Sequence, residues 1–144
     1  MEYRLFSRKW LAGFFDGEGS IGLKYNNHYR KDGTRILYLY ASITQNNKKL
    51  LLALKRRFNG AVSKHSGSKC FAWQVSCNQA DKFLRYIYPY LKLKKKVADL
   101  AFKHRALLRW QGRRKTGKGR QILKSSSQKH ERIRNRIMWL NQQD

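Results

Sequence analysis

Apolar residues change their period several times along this chain, and each change predicts an element. Ser7 can cap a helix in which Trp10, Leu11, Phe14 and Phe15 recur at i, i+1, i+4 and i+5, until Gly17 and Gly19 stop it. From Ser20 the period becomes two: Ile21, Leu23 and Tyr25 alternate with Gly22, Lys24 and Asn26, the pattern of a half-buried strand. Lys31-Asp32-Gly33 reverses the chain, and Leu37, Leu39, Ala41 and Ile43 alternate with Ile36, Tyr38, Tyr40 and Ser42, which completes a long hairpin. Helical spacing returns behind Asn46 or Asn47 with Leu50, Leu51, Leu54 and Phe58, and Asn59-Gly60 closes it. A second hairpin follows, about Ala61 to His65 and Cys70 to Cys77 around Ser66-Gly67-Ser68, with Phe71, Trp73 and Val75 inward. Asn78 then caps a helix carrying Phe83, Leu84 and Ile87 that stops at Pro89, and Val97, Leu100, Ala101, His104, Leu107 and Leu108 mark another. Gln111 to Ser127 reads as a basic, mobile loop, and Ile133, Ile137 and Leu140 mark a last amphipathic helix.

Helix, hairpin, helix, hairpin, helix and extra C-terminal helices make an α+β domain with all helices on one sheet face and the other face free. A length of 144 residues with one proline and ten glycines leaves no linker, so residues 1–144 are read as one domain, with a core of about 5–110 and a basic loop and helix of about 111–144. Charge then directs the reading toward a polyanion: 33 Lys and Arg against 8 Asp and Glu give +25, far more than solubility needs, and nucleic acid is the first candidate. No apolar run approaches the ~20 residues of a spanning helix, and the start of the chain lacks the ordered segments of a signal peptide, so no membrane partner is expected. Cys70 and Cys77 fit no zinc spacing and read as small buried hydrophobes of one strand, consistent with a reducing intracellular compartment.

The segment from Trp10 to Ser20 carries the candidate chemistry. Gly13 sits inside a good helix at a cost of about 1 kcal/mol relative to Ala, which calls for compensation. Ala12, Gly13, Asp16 and Gly17 share a face whose small side chains let another helix backbone approach, and the natural partner is the same helix of a second copy about a twofold axis. A packed core helix is the plainer alternative. The twofold arrangement brings two Glu18 carboxylates together at two helix C-termini, where like charges and the macrodipole both disfavour them and a divalent cation relieves the repulsion. Of the eight acids, Glu2, Asp16, Glu18, Asp32, Asp81, Asp99, Glu131 and Asp144, no group within one chain suffices for a metal nuclease, whereas one Glu18 from each of two copies does, since Mg²⁺ takes one or two carboxylates plus phosphate oxygens.

The run Leu11-Ala12-Gly13-Phe14-Phe15-Asp16-Gly17-Glu18-Gly19 resembles the signature of the LAGLIDADG homing endonucleases, single-motif homodimeric type, and the α-β-β-α-β-β-α order matches that fold over nearly the whole chain. The resemblance implies that Glu18 and the Gly17 carbonyl hold Mg²⁺ or another divalent cation such as Mn²⁺, and that Leu11, Ala12, Gly13, Phe14, Asp16 and Gly17 form the dimer contact. Asp16 would cap or orient the paired helices. Gln45 matches the family's polar residue that orders solvent, Lys94, in Pro89-Tyr90-Leu91-Lys92-Leu93-Lys94, its catalytic-centre lysine, and Lys49 a basic partner. On the free sheet face, Gly22, Lys24, Asn26, His28, Arg30, Lys31, Ile36, Tyr38, Tyr40, Ser42, Ser63, His65, Ala72 and Gln74 are expected in the major groove, with Arg113, Arg114 and Lys115 of the basic tail on the backbone. The implied activity is a metal-dependent double-strand break in a long pseudo-palindromic DNA, promoting intron mobility, in an organelle (mitochondrion or chloroplast) or a bacterial or phage cytoplasm. An intron-RNA maturase or an inactive DNA-binding protein of the same fold is the alternative.

Overall fold

The computed structural model describes residues 6–29, 35–113 and 124–143, and the side chains of all of these except residues 28–29, 109–113 and 124–126. Helix α1 (Arg8–Glu18) leads directly into β1 (Gly19–Tyr29), which pairs with β2 (Arg35–Gln45). Then come α2 (Lys48–Phe58), β3 (Ala61–Lys64), β4 (Phe71–Ser76), α3 (Cys77–Ile87), a single 3-10 turn (Tyr88–Tyr90), α4 (Lys95–Arg113) and α5 (Lys124–Asn141). The four strands form one antiparallel sheet in the order β1-β2-β4-β3. Period-two alternation puts Ile21, Leu23, Leu37, Leu39, Ala41, Ile43, Trp73 and Val75 on the inner face, all buried against the helices, so the expected one-sided α+β architecture is what the chain forms.

Aromatic rings fill the centre of that layer. Phe83 meets Phe15, Phe58 and Trp73 edge to face at 5.5, 5.0 and 5.0 Å, and the buried Trp73 indole donates to the Asn59 carbonyl at 2.8 Å, which removes the cost of burying its N–H. Gly19 joins α1 to β1 with no intervening loop, because a Cβ there would come within 2.3 Å of the Phe15 ring.

Several boundaries differ from the sequence expectation, each for a local reason. Cys77 begins α3 directly after β4 with φ 52°, and the Asn78 side chain accepts a hydrogen bond from Arg105 rather than capping the helix. Cys70 lies half-buried before β4 and Cys77 is exposed, so neither is a buried strand residue. Residues 111–113 and 124–127, expected in a loop, are helical, and the rest of that expected loop lies outside the described residues. Helix α4 continues through Gly112 to Arg113 and α5 starts at Lys124, since no proline interrupts either stretch. No described helix is long and apolar enough to cross a membrane.

His104, expected at the core edge, is fully buried, and its Nδ1 lies 2.8 Å from Nδ1 of the buried His130 on α5. Burial, with the His130 and Arg105 charges adding to it, pushes His104 down to about 3, and burial lowers His130 as well. An unfolded histidine titrates near 6.5, so below that pH the unfolded chain takes up protons that the folded pair refuses. Stability is therefore expected to be full above pH 6.5 and to fall by on the order of 1 kcal/mol per pH unit through His104 as pH drops toward 3, with His130 adding in the same direction. Urea midpoints between pH 7.5 and 4.5 check this: the wild-type slope should shrink in His104→Leu, and an equal slope in both proteins would contradict it.

Candidate nucleic-acid interface and catalytic centre

Alternation that buries one face of the sheet presents the other. Cross-strand register aligns Gly22 with Tyr40, Lys24 with Tyr38, Ser42 with Gln74, Thr44 with Ala72, and Ser63 with Ala72, so these side chains share the outer face. Lys24 crosses it: its ammonium sits 4.1 Å from the Tyr40 ring centre and donates to Gln74 Oε1 at 3.4 Å, tying three strands together. Among the described residues no carboxylate stands on this face, and its donors and acceptors are those that read base edges. Lys24, Asn26, Ser63 and His65 are exposed, whereas Ile36, Tyr38, Tyr40, Ser42, Ala72 and Gln74 are half-buried. Gly22 is a correction. It lies buried beneath Tyr40, whose ring would come within 2.6 Å of a Cβ at that position, so the tyrosine occupies the surface the glycine was expected to offer. The register adds Ser20, Thr44 and Ser76, which the expected list omitted although the same alternation reaches them. Arg30, Lys31, Arg114 and Lys115 lie outside the described residues, as do the side chains of His28 and Arg113.

The exposed side of α1 is narrower than expected. Leu11 and Ala12 have no accessible surface and Asp16 is buried, so these three pack within the chain and cannot form a contact between copies. What faces outward is Gly13, Gly17 and Glu18, beside a half-buried Phe14 and a Trp10 that is 45% exposed. Trp10 is stacked between Phe6 and Phe14 at 4.9 and 5.0 Å. A Cβ added at Gly13 or Gly17 would meet nothing within 4 Å. The fold of a single chain therefore does not require either glycine, and their cost in helix propensity has no compensation inside the molecule.

Asp16 has a different role from the one expected of it. Its two carboxylate oxygens accept the backbone N–H groups of Lys92 and Lys94, at 2.7 and 3.0 Å, capping the turn before α4. In return the Lys94 ammonium donates to the Asp16 carbonyl at 3.0 Å, placing a cation at the negative end of the α1 dipole and within two residues of Glu18. The other described carboxylates are engaged as well: Asp81 with Arg85, Asp99 with the Tyr88 hydroxyl, and Glu131 with the Tyr25 hydroxyl and Arg134. Glu18 alone among the described carboxylates has no partner, and it stands exposed at a helix C-terminus, where a negative charge is disfavoured.

Gly19 pairs with Ile43, which puts Gln45, two residues further along β2, at the Glu18 end of the sheet. The Gln45 Oε1 accepts from the Asn46 backbone N–H at 3.2 Å, and the exposed Lys48 and Lys49 occupy the first turn of α2 just beyond. Lysines at a helix N-terminus oppose the dipole, so this edge concentrates charges that serve something other than helix stability. Glu18, Lys94, Gln45 and Lys49 are thus gathered at one end of the domain, with the polar sheet face running outward from it.

Comparison with known proteins finds the same fold elsewhere. Solved structures of similar fold include the homing endonuclease I-CvuI in complex with an I-CreI DNA target in the presence of Mg (TM-score 0.73, 20% identity, 92% of this chain and 80% of that one). The archaeal intron-encoded homing endonuclease I-Vdi141I, complexed with DNA, is similar at TM-score 0.72 and 18% identity over 92% of this chain and 82% of that one. The homing endonuclease I-TnaI is similar at TM-score 0.67 and 17% identity over 96% and 97%. A further structure of I-CvuI is a complex with its own target in the presence of Ca. Among curated proteins no sequence matches. The family model for LAGLIDADG endonucleases matches residues 11–106, two-thirds of the chain and the whole span from α1 into α4, and the chain belongs to that family.

Proposed function

We propose that this chain is a site-specific homing endonuclease that acts as a homodimer, makes a double-strand break in a long pseudo-palindromic DNA, and so promotes the mobility of the intron that encodes it. The observation that carries this reading is the one open carboxylate among the described residues, Glu18, next to a glycine face that the isolated chain leaves unfilled. Packing Gly13 and Gly17 against the same residues of a second copy brings two Glu18 side chains together and gives both glycines a use.

A divalent cation, Mg²⁺ or a relative such as Mn²⁺, suits the donors. Glu18 and the Gly17 carbonyl are hard oxygen ligands at an open helix end, while the Asp16 oxygens are already occupied. Among the described residues no group of three His, Cys, Asp or Glu could hold a metal. When bound, such an ion polarises the scissile phosphate and lowers the pKa of water at the site. The protein's own groups do the rest. Lys94, held at the end of α1, offsets charge developing on the phosphate, Gln45 orients the attacking water, and Lys49 adds positive potential. The DNA complexes of I-CvuI and I-Vdi141I support a DNA partner for this chain. An 11-residue β1 spans about 36 Å at ~3.3 Å per residue, roughly ten base pairs of reach per subunit. Intron homing places the protein in an organelle or in a bacterial or phage cytoplasm.

The test is selection of cleaved sites from a randomised duplex library with Mg²⁺, against an EDTA control. Recovery of one long pseudo-palindrome cut at its centre supports the reading. Tight binding to structured intron RNA or to DNA with no cut under Mg²⁺ or Mn²⁺ contradicts it and favours the maturase or inactive-binder alternative.

A further inference from the structure

Helix α5 buries Ile137 in the core, with Ile133 and Leu140 packed against it, and adds polar contacts that converge on one stretch of the edge strand β1. The Tyr25 hydroxyl donates to the Glu131 carboxylate, Arg134 lies 3.7 Å from that carboxylate and 4.9 Å from the Tyr25 ring centre, and Arg35 approaches the same ring at 5.8 Å. Asn141, almost three turns further along α5, donates to the Ile21 carbonyl at 3.0 Å. The buried His104 and His130 tie α5 to α4 behind this point. A cavity of about 20 Å³, room for one water, remains between Tyr25, Leu37, His104, His130 and Glu131, beside a tyrosine ring that also packs against the edge of the core.

Tyr25 occupies a critical place in the ladder. It is the last residue of β1 in regular register with β2, opposite Leu37; the register then shifts before Tyr29 pairs with Arg35. Strand alternation turns Tyr25 inward and its neighbours Lys24 and Asn26 outward. Anything that fixes the Tyr25 backbone also fixes where Lys24 stands and how β1 leaves the sheet beyond it.

We propose that α5 is a strut for DNA reading: through Glu131 on Tyr25 and Asn141 on Ile21 it sets the path of the outer half of β1, and so determines specificity at base pairs away from the cleavage centre. Tyr25 and Glu131 are positioning residues and touch no DNA themselves. This rests on the nuclease reading above. Lys24 lies five residues from Gly19, about 17 Å at ~3.3 Å per residue, which corresponds to roughly five base pairs from the centre. The strut should matter from there outward and not at the middle of the site.

Tyr25→Phe and Glu131→Leu each remove the contact and keep the bulk, whereas Glu131→Gln retains an oxygen that accepts the tyrosine proton. Cleavage rates would be measured on the best target and on targets with single base changes at every position. In Tyr25→Phe and Glu131→Leu, discrimination should drop about tenfold at outer positions and stay unchanged at central ones, with the rate on the best target within about twofold of wild type. Glu131→Gln should recover most of the discrimination. Hydrogen exchange of the amides of residues 24–27 in the free protein supplies a reading that needs no DNA, and should speed up about tenfold in Tyr25→Phe. Unchanged exchange overturns the strut, even if the protein cuts no DNA at all. Faster exchange with unchanged discrimination, or a loss spread evenly over all positions, overturns its role in specificity. If wild type cuts no library member while exchange responds as stated, the nuclease reading is what fails.

Discussion

Glu18→Gln is expected to abolish DNA cleavage, by at least about a thousandfold or roughly 4 kcal/mol of transition-state stabilisation, while binding of the same target stays within a few-fold of wild type. The substitution keeps the size of the side chain and removes the charge that would hold a cation. The fold should not respond, since Glu18 is exposed and has no intrachain partner whose loss would be felt. Removing an unpaired carboxylate from a helix C-terminus relieves a dipole conflict, so the thermal midpoint should stay level or rise slightly. Cleavage assays in Mg²⁺ paired with binding measured in Ca²⁺ separate the two effects. Normal cleavage by Glu18→Gln would remove Glu18 from the centre, and loss of binding in parallel with cleavage would make it a DNA contact instead.

Gly13→Leu should have an effect of similar size by a different route. Within one chain nothing lies within 4 Å of the new Cβ, and leucine is about 1 kcal/mol better than glycine in a helix, so the monomer should be at least as stable. Between two copies the added side chains force the helices apart. A cost of about 3 kcal/mol weakens the dimer more than a hundredfold. Sedimentation should find a folded monomer at concentrations where wild type is dimeric, and cleavage should fall in step. A dimeric, fully active Gly13→Leu protein would show that α1 is not the interface. The same reasoning predicts little from changes at Leu11 or Ala12 beyond loss of core packing, because both are already fully buried in the monomer.

Much of this molecule is legible in its sequence, for reasons that also explain where legibility stops. Period-two runs such as Leu37-Leu39-Ala41-Ile43 name their own face, because only one parity can be buried. The outer face and its shared side chains followed from that alone. Helix faces are harder, since a 3.6-residue period leaves small residues ambiguous. Ala12 and Asp16 share spacing with Gly13 and Gly17, yet they turn inward, and Asp16 is occupied by two backbone N–H groups about 76 residues away in sequence that no local pattern could have announced. Tyr40 covering Gly22 is likewise a cross-strand event, visible only once register is known. The His104–His130 pair joins α4 and α5 across an intervening basic stretch; His104 fell in the apolar spacing of its helix, but no pattern named His130 as its partner. The candidate site residues have another origin. Glu18 followed from the small-residue helix face and the sparse carboxylates, Gln45 and Lys94 from family resemblance, and all three lie at one end of the domain, with Lys94 on the carbonyl of Asp16.

The most direct test of a cleavage centre shared by two chains is a mixed-dimer measurement. Wild type and Glu18→Gln, carrying different tags, are co-expressed or allowed to exchange subunits at known ratios, and double-strand cleavage is followed against the wild-type fraction. Double-strand breaks fall as the square of that fraction on either account, to about a quarter at equal mixing, so the deciding signal is nicked product: if one Glu18 from each copy is needed, mixed dimers cut neither strand and no excess of nicks appears. Nicking of one strand by mixed dimers, so that total strand cuts fall only linearly, to about half at equal mixing, would mean that each chain carries a complete site of its own, and the shared twofold centre would be wrong.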